Sequence, residues 1–235
     1  MYREKRDMKL KLVDKEIQTG DVKSFVFEPD IPVEWAAGQF MVYRLDHENP
    51  DIRGKQRFFT ISSAPFEKHI VITTHIQKDK SSTFKKSLDS LKIGDFIEAK
   101  GPDGDFILED PNKNYVFIAG GIGITPFHSI IADLAHKSLP INITLFYANK
   151  TEEFPFKEEF EKIREQNTSF KVHYVVSPKH IDENLIKENV ADLQKKIFYV
   201  SGPEKMVEDL TEMIKGIGIK EENIKQDFFP GYDPI

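Results

Sequence analysis

The sequence predicts two domains: an antiparallel β-barrel, then an α/β domain built on a parallel sheet. Three observations carry this. Up to Ala99 the chain shows short period-two apolar runs separated by polar turns. From Tyr115 onward the pattern becomes strand alternating with helix, which implies parallel strands. Between the two lies Leu108 to Asn114, LEDPNKN, a polar proline-containing stretch that reads as the boundary. The expected domains are therefore 1–108 and 109–235.

The barrel strands follow in order. Leu10 and Leu12 alternate with lysines, and Phe25 and Phe27 flank Val26. Then come Phe40 to Leu45, Phe58 to Ile61, Ile70 to Ile76, and Phe96 to Ala99. Turn residues separate them at Thr19-Gly20-Asp21, Glu28-Pro29-Asp30, Asn49-Pro50-Asp51 and Gly94-Asp95. Ser82 to Leu91 breaks the pattern. There Phe84, Leu88 and Leu91 fall at i, i+4 and i+7, predicting a short helix that plugs one end of the barrel. In the second half, strands are expected at Tyr115–Ala119, Ile141–Ala148, Phe170–Val176, Ile197–Val200 and Ile224–Phe228. Helices are expected at Pro126–His136, Pro155–Gln166 (Phe156, Phe160 and Ile163 on one face), Glu183–Leu193 and Pro203–Lys215.

Composition narrows the function classes. A chain of 235 residues permits one large domain or two of ordinary size. With 39% hydrophobic and 31% charged residues, it suits a soluble globular protein with material for a core. A formal net charge of −6 argues against a nucleic-acid binder that relies on phosphate neutralisation. The chain has no cysteine, which excludes disulfides, cysteine-ligated iron–sulfur clusters and thiolate nucleophiles within it. The start, MYREKRDMKL, is charged with no apolar stretch behind it, so no secretory signal is expected. No apolar run approaches the roughly 20 residues that span a bilayer. A cytoplasmic location is the default expectation.

One stretch organises the rest: Tyr115 to Phe127, YVFIAGGIGITPF. A run of mostly apolar residues enters Gly120, Gly121 and Gly123, then Thr125 and Pro126, then helical periodicity. The order is strand, glycine turn, helix start. Glycine lets something approach the main chain closely. Thr125 suits an N-cap and Pro126 the first helical position. A helix N-terminus with free N–H groups attracts anions, so the stretch reads as a cradle for a dinucleotide pyrophosphate. The plain alternative is an ordinary strand-to-helix turn, and the spacing is not G-x-G-x-x-G. In an open parallel sheet, ligands sit at the carboxyl ends of the strands. Gly120–Thr125, Tyr147–Lys150 and Ser201-Gly202-Pro203 all fall there, and that clustering favours the dinucleotide.

Other stretches carry candidate chemistry. Arg57-Phe58-Phe59-Thr60-Ile61-Ser62-Ser63 sets a guanidinium, aromatics and hydroxyls on one strand, with Arg57 and Phe59 on one face and Thr60 on the other. Arg suits phosphate through its fork of N–H donors; the alternative is a barrel strand with one exposed Arg. Gly101-Pro102-Asp103-Gly104-Asp105-Phe106 reads as a tight turn. Ser201-Gly202-Pro203 with Met206 is again strand end, turn and helix start. Asp227-Phe228-Phe229-Pro230-Gly231-Tyr232 is an aromatic cluster expected to cover something apolar, either a flat conjugated ring or the domain core.

Together these residues resemble the ferredoxin–NADP reductase-like flavoprotein family, over nearly the whole chain. The shared pattern is Gly38-Gln39-Phe40, then Arg57-Phe58-Phe59-Thr60, Ser82-Thr83-Phe84-Lys85 with Leu88, and Gly101-Pro102 with Gly104 and Phe106. It continues with Gly120-Gly121-Ile122-Gly123-Ile124-Thr125-Pro126, Ser201-Gly202-Pro203 with Met206, and Gly231-Tyr232. The resemblance implies an FAD-binding β-barrel and a Rossmann-like NAD(P)-binding domain. It implies that Arg57 holds the FAD pyrophosphate, that Phe59 packs by the flavin and ribityl chain within the Arg57–Thr60 motif that includes Phe58, and that Thr60 bonds near flavin N5. Thr74, His75 and Ile76 would meet the flavin by their backbone, with Ser82 and Thr83 on the diphosphate. Gly120, Gly121, Gly123, Thr125 and Pro126 would cradle the nicotinamide dinucleotide. Ser201, Gly202, Pro203 and Met206 would line the nicotinamide side, and Phe229 would sit over the isoalloxazine face.

Two departures stand out. Phe59 replaces the family's usual Tyr, losing a hydroxyl to the ribityl chain, and Ser201 replaces its usual Cys beside the nicotinamide ring. Neither removes a group the reaction needs, because the cofactors carry the hard chemistry. The implied activity is NAD(P)H-dependent: hydride passes to FAD, then electrons pass to a separate acceptor, a redox protein or small molecule. Alternatives are an electron-transfer subunit of a larger redox assembly, or a nucleotide-sensing module with weakened catalysis. NADH and NADPH stay unseparated, since Asn149-Lys150 and Lys179 are placed for a 2′-phosphate but Glu152 and Glu153 adjoin Lys150. No metal is expected. The seven histidines form no ligand cluster with carboxylates, and His128 and His136 lie too far apart along one helix to share an ion. Glu152 to Glu165 is a solvated helix face.

Overall fold

The computed structural model describes residues 6–229, which form two compact units. The first takes residues up to 107 together with 128–133; the second takes 108–127 and the chain from 134. Gly231 and Tyr232 of the family pattern lie outside the described residues.

The first unit is a six-stranded antiparallel sheet of β1 (Arg6–Thr19), β2 (Val22–Pro29), β3 (Phe40–Arg44), β4 (Gln56–Thr60), β5 (Ile70–His75) and β6 (Phe96–Asp103), in the order β4-β3-β6-β1-β2-β5. The alternation in β1 buries Met8, Leu10 and Leu12 and leaves Lys9 and Lys11 in solvent. A register shift between Leu12 and Asp14 then breaks that alternation. Just past the end of β4, the N–H of Ser62 donates to the carbonyl of Val71 on β5 (3.0 Å), which draws the two edge strands together. A buried hydroxyl chain reinforces the join: Ser24 to Thr73 at 2.7 Å and Thr73 to Ser62 at 2.8 Å. Phe25, Phe27, Tyr43, Ile70 and Ile72 fill the interior. The helix α1 (Thr83–Ser90) adds Phe84 and Leu88 to the same core.

Gly101 to Asp103 is not the tight turn expected. β6 runs on through Asp103, paired with Phe40, and the turn begins only at Gly104. The Gln39 side chain joins this region to the start of β3, accepting from Ala36 N and donating to Gly104 O. Within the same unit, His128 is buried with Nδ1 2.7 Å from the Ser62 carbonyl, a packing role.

The second unit is a five-stranded parallel sheet in the order β11-β10-β7-β8-β9. Its strands are β7 (Tyr115–Gly120), β8 (Ile143–Asn149), β9 (Lys171–Val176), β10 (Ile197–Pro203) and β11 (Ile224–Phe229). Between them run α2 (Thr125–His136), α3 (Lys157–Gln166), α4 (Glu183–Asn189) and α5 (Glu204–Gly216). Every residue of β7 is buried, as a central parallel strand requires. Three elements differ from expectation. α3 starts at Lys157 because Phe156 is left-handed (φ 62°), so Phe156 stays off the apolar face that Phe160 and Ile163 form. α4 stops at Asn189, whose side chain caps Leu185 O while Val190 leaves the helix to be buried. β8 begins at Ile143, two residues late, although Ile141 is buried. Among the described residues, no helix is long and apolar enough to cross a membrane.

Candidate functional site

In the first unit the candidate residues gather where β4 meets the N-terminus of α1. Register sets Arg57 opposite Tyr43 and Phe59 opposite Met41. Directly opposed residues share a face, so Arg57 and Phe59 turn inward, against Tyr43 and Phe84. Phe58 and Thr60 take the other face. Phe58 is exposed, edge-to-face with Phe40 at 5.8 Å, whereas Thr60 is buried.

The Arg57 guanidinium has a partner already. Its Nη2 donates to both oxygens of Asp51, at 2.7 and 2.9 Å, and Nη1 donates to the carbonyls of Arg53, Gly54 and Gln56. The same carboxylate accepts from the backbone N–H of Thr83 (3.3 Å), at the first turn of α1, and from that of Arg53 (3.0 Å). Thr83 Oγ1 in turn accepts from Asp51 N at 3.0 Å and lies 3.0 Å from His47 Nε2. Desolvation pushes the Asp51 carboxyl up, but the Arg53 N–H and the Arg57 fork outweigh it and hold the group below the usual carboxylate range. The helix is satisfied at both poles, for the Lys15 ammonium donates to the Asp89 and Leu91 carbonyls at its other end. Ser82 caps α1 by accepting from Lys85 N.

These residues fit a diphosphate. A two-oxygen anion already sits between Arg57 Nη2 and the N–H of Thr83 at the start of α1. Arg57 Nε and Thr74 Oγ1 are buried with no partner. On β5, His75 Nδ1 lies 2.7 Å from Asp21, and the Ile76 N–H is spent on the Asp21 carbonyl. Ile76 therefore has no backbone donor to offer a flavin while that bond holds.

In the second unit the candidates gather where the strand order reverses, between β7 and β10. Gly121 has φ +52°, a conformation that suits glycine. Gly123 is forced by contact: a Cβ there would meet the Ser201 carbonyl oxygen at 2.3 Å. Gly120 packs on Met206 and Pro203, and Gly202 packs on Gly120. Thr125 is not the N-cap. The helix is entered through a 3-10 turn, Gly121–Ile124, whose cap is Gly120 without a side-chain bond, and the Thr125 hydroxyl donates back to Ile122 O. Pro126 follows inside the first turn of α2. Gly120 and Gly123 are thus filled from within the fold, and Gly121, part exposed, leaves main chain open at a topological switch point, which fits a dinucleotide.

Asn149 and Lys150 lie at the end of β8, apart from this interlock in sequence. Asn149 is taken up locally, donating to Glu153 O and accepting from Lys150 N, while Lys150 is exposed. Ser201 is fully buried and donates to Asp227 Oδ2 at 3.2 Å. Desolvation pushes the Asp227 carboxyl up to about 6, against the opposing serine bond. Phe228 is 46% exposed, so it does not cover the domain core. Phe229 is the last described residue, paired with Pro203 at the end of β11.

Sequence reading missed Asp51 and Asp227 as site residues. Asp51 sat in a turn signal, and its partner Thr83 is 32 residues away, so no local pattern could join them. Asp227 had a usable signal: an acidic residue between apolar neighbours at the carboxyl end of a parallel strand.

Comparison with known proteins follows the same division. Residues 9–107 match the family model for the oxidoreductase FAD-binding domain, and residues 117–212 match that for the oxidoreductase NAD-binding domain. The chain is 26% identical, over 96% of its length, to a subunit of the Na(+)-translocating NADH-quinone reductase of Yersinia pestis (strain Pestoides F), covering 64% of it. It is 31% identical to the like-named subunit from Marinomonas sp. (strain MWYL1), over 60% of this chain and 39% of the relative. The chain thus spans between 39% and 64% of these two relatives. Among solved structures it resembles the FAD/NAD-binding domain of nitric oxide dioxygenase from Vibrio cholerae O1 biovar El Tor, with TM-score 0.82 at 19% identity, covering 95% of this chain and 99% of that one. It also resembles the cytochrome b5 reductase domain of Ulva prolifera nitrate reductase, with TM-score 0.81 at 23% identity, covering 94% and 97%. At these identities the likeness to solved structures is one of fold.

Proposed function

The chain belongs to the ferredoxin–NADP reductase-like FAD- and NAD(P)-binding oxidoreductases, and from that premise we propose how its own residues do the work. It is a flavoprotein oxidoreductase that takes hydride from a nicotinamide dinucleotide and passes electrons to a separate acceptor. When bound, the nicotinamide would supply a hydride and the flavin would hold it as two electrons and a proton, releasing the proton as the electrons pass onward.

We assign FAD to 1–108 and the dinucleotide to 109–235. Arg57 and the first turn of α1, with Ser82 and Thr83, hold the diphosphate, and Phe59 shields the ring from water. Thr60 would offer its hydroxyl near N5. Gly121 lets the second diphosphate reach main chain, while Gly120 and Gly123 let the turn pack closely on β10 and α5 behind it. Ser201, buried and bonded to Asp227, would shape the strand end beside the nicotinamide. The observation that carries this reading is the oxyanion seat itself, in which Arg57 Nη2 and the Thr83 N–H converge on one carboxylate.

The acceptor lies outside these residues, since they hold no cysteine for an iron–sulfur centre. The relatives are named as quinone reductase subunits, which supports a redox partner or a quinone as that acceptor. The test is anaerobic. Purified protein with FAD should be yellow and bleach on NADH or NADPH, with the side-by-side rates choosing the nucleotide. A colourless protein that ignores added FAD would overturn the proposal.

A further inference from the structure

The carboxylate in the diphosphate seat belongs to the chain. We propose that Asp51 is a built-in competitor for the FAD diphosphate, and that flavin binding must displace it. This deepens the FAD reading and rests on it. Asp51 satisfies the seat with an anion's two oxygens: both accept from Arg57 Nη2, and one of them also from the Thr83 N–H. An anion of greater charge cannot share those donors with it, because two negative groups at one seat repel.

The contact is made to be exchanged. Asp51 is part exposed, with 25% of its side chain in solvent, while Arg57 is nearly covered at 11%. The plug can therefore swing out while the socket stays fixed. Arg57 also grips the plug's own loop, through the carbonyls of Arg53, Gly54 and Gln56. Displacing the Asp51 carboxylate removes one anchor of the 46–55 loop, while the Arg57 bonds to the Arg53 and Gly54 carbonyls remain, so flavin loading should loosen the loop around Asp51. Neighbouring Ile52 is fully exposed, so the loop has little apolar burial to hold it down.

The test compares Asp51→Asn and Asp51→Ser with the wild-type chain, each stripped of flavin, by fluorescence titration with FAD and with riboflavin. Both variants should bind FAD about tenfold more tightly, since a charge-assisted competitor has been removed. Riboflavin has no phosphate, so its affinity should be unchanged. Amide exchange in 46–55 should rise on adding FAD to the wild type and stay level in the variants. FAD affinity that is equal or weaker in both variants overturns the competitor role while leaving the FAD reading intact. Equal tightening for riboflavin overturns it too, because the effect would then not act through phosphate. If neither wild type nor variants bind FAD, the FAD reading itself falls and takes this inference with it.

Discussion

Ser201 and Asp227 face each other in register on β10 and β11, with the serine hydroxyl 3.2 Å from the carboxylate Oδ2. Such a pair sets a pH signature. In the unfolded chain the aspartate titrates near 3.8, whereas in the fold it titrates at about 6. Between those values the folded state holds the extra proton. The contribution to stability is complete below about pH 4 and is lost as the pH rises through 6. Asp227→Asn should therefore gain about 1–2 kcal/mol at pH 8, discounted for partial exposure, and almost nothing at pH 4. Thermal melts of both proteins across that range check it, and parallel curves would refute it.

Gly123→Ala should be costly. The added Cβ meets backbone, the Ser201 carbonyl oxygen at 2.3 Å, and backbone cannot swing away as a side chain can. We expect a loss of about 1–3 kcal/mol in urea unfolding, with weaker nucleotide binding because the turn must open.

Arg57→Gln should weaken FAD binding about 100-fold, judged from the worth of hydrogen bonds to charged groups. Arg57→Lys should not restore it, because an ammonium lacks the planar fork. Flavin fluorescence titration reads both.

Thr73→Val should destabilise the first unit by about 1–2 kcal/mol, since it leaves the buried Ser24 hydroxyl without its partner, while Ser62 keeps its bond to the Val71 carbonyl. The urea midpoint should fall with the slope unchanged.

Lys15→Met should cost about 1 kcal/mol by uncapping the carbonyl end of α1, where the ammonium meets Asp89 O and Leu91 O. Helix-region amide exchange would rise around Leu88 and stay level elsewhere.

Much of the fold was legible in the order of residues alone. The period-two runs of β1 and β2, the i, i+4 pair Phe84 and Leu88, and the strand–glycine–helix order at Tyr115 to Phe127 are local patterns with local causes. Where expectation and structure part, the deciding force is a specific contact. Phe156 leaves its helix in a left-handed conformation, and β6 runs past Gly101 because Asp103 pairs with Phe40.

By itself the sequence determined that a barrel precedes a parallel sheet, and which glycines, arginine and hydroxyls stand at its turns. Side-chain period and turn chemistry act over a few residues, so they can be read in order. Only tertiary structure decided who meets whom: Asp51 with Arg57 and Thr83, and Asp227 with Ser201. Those meetings depend on sheet register and on one helix end reaching a distant loop, and no spacing along the chain encodes them.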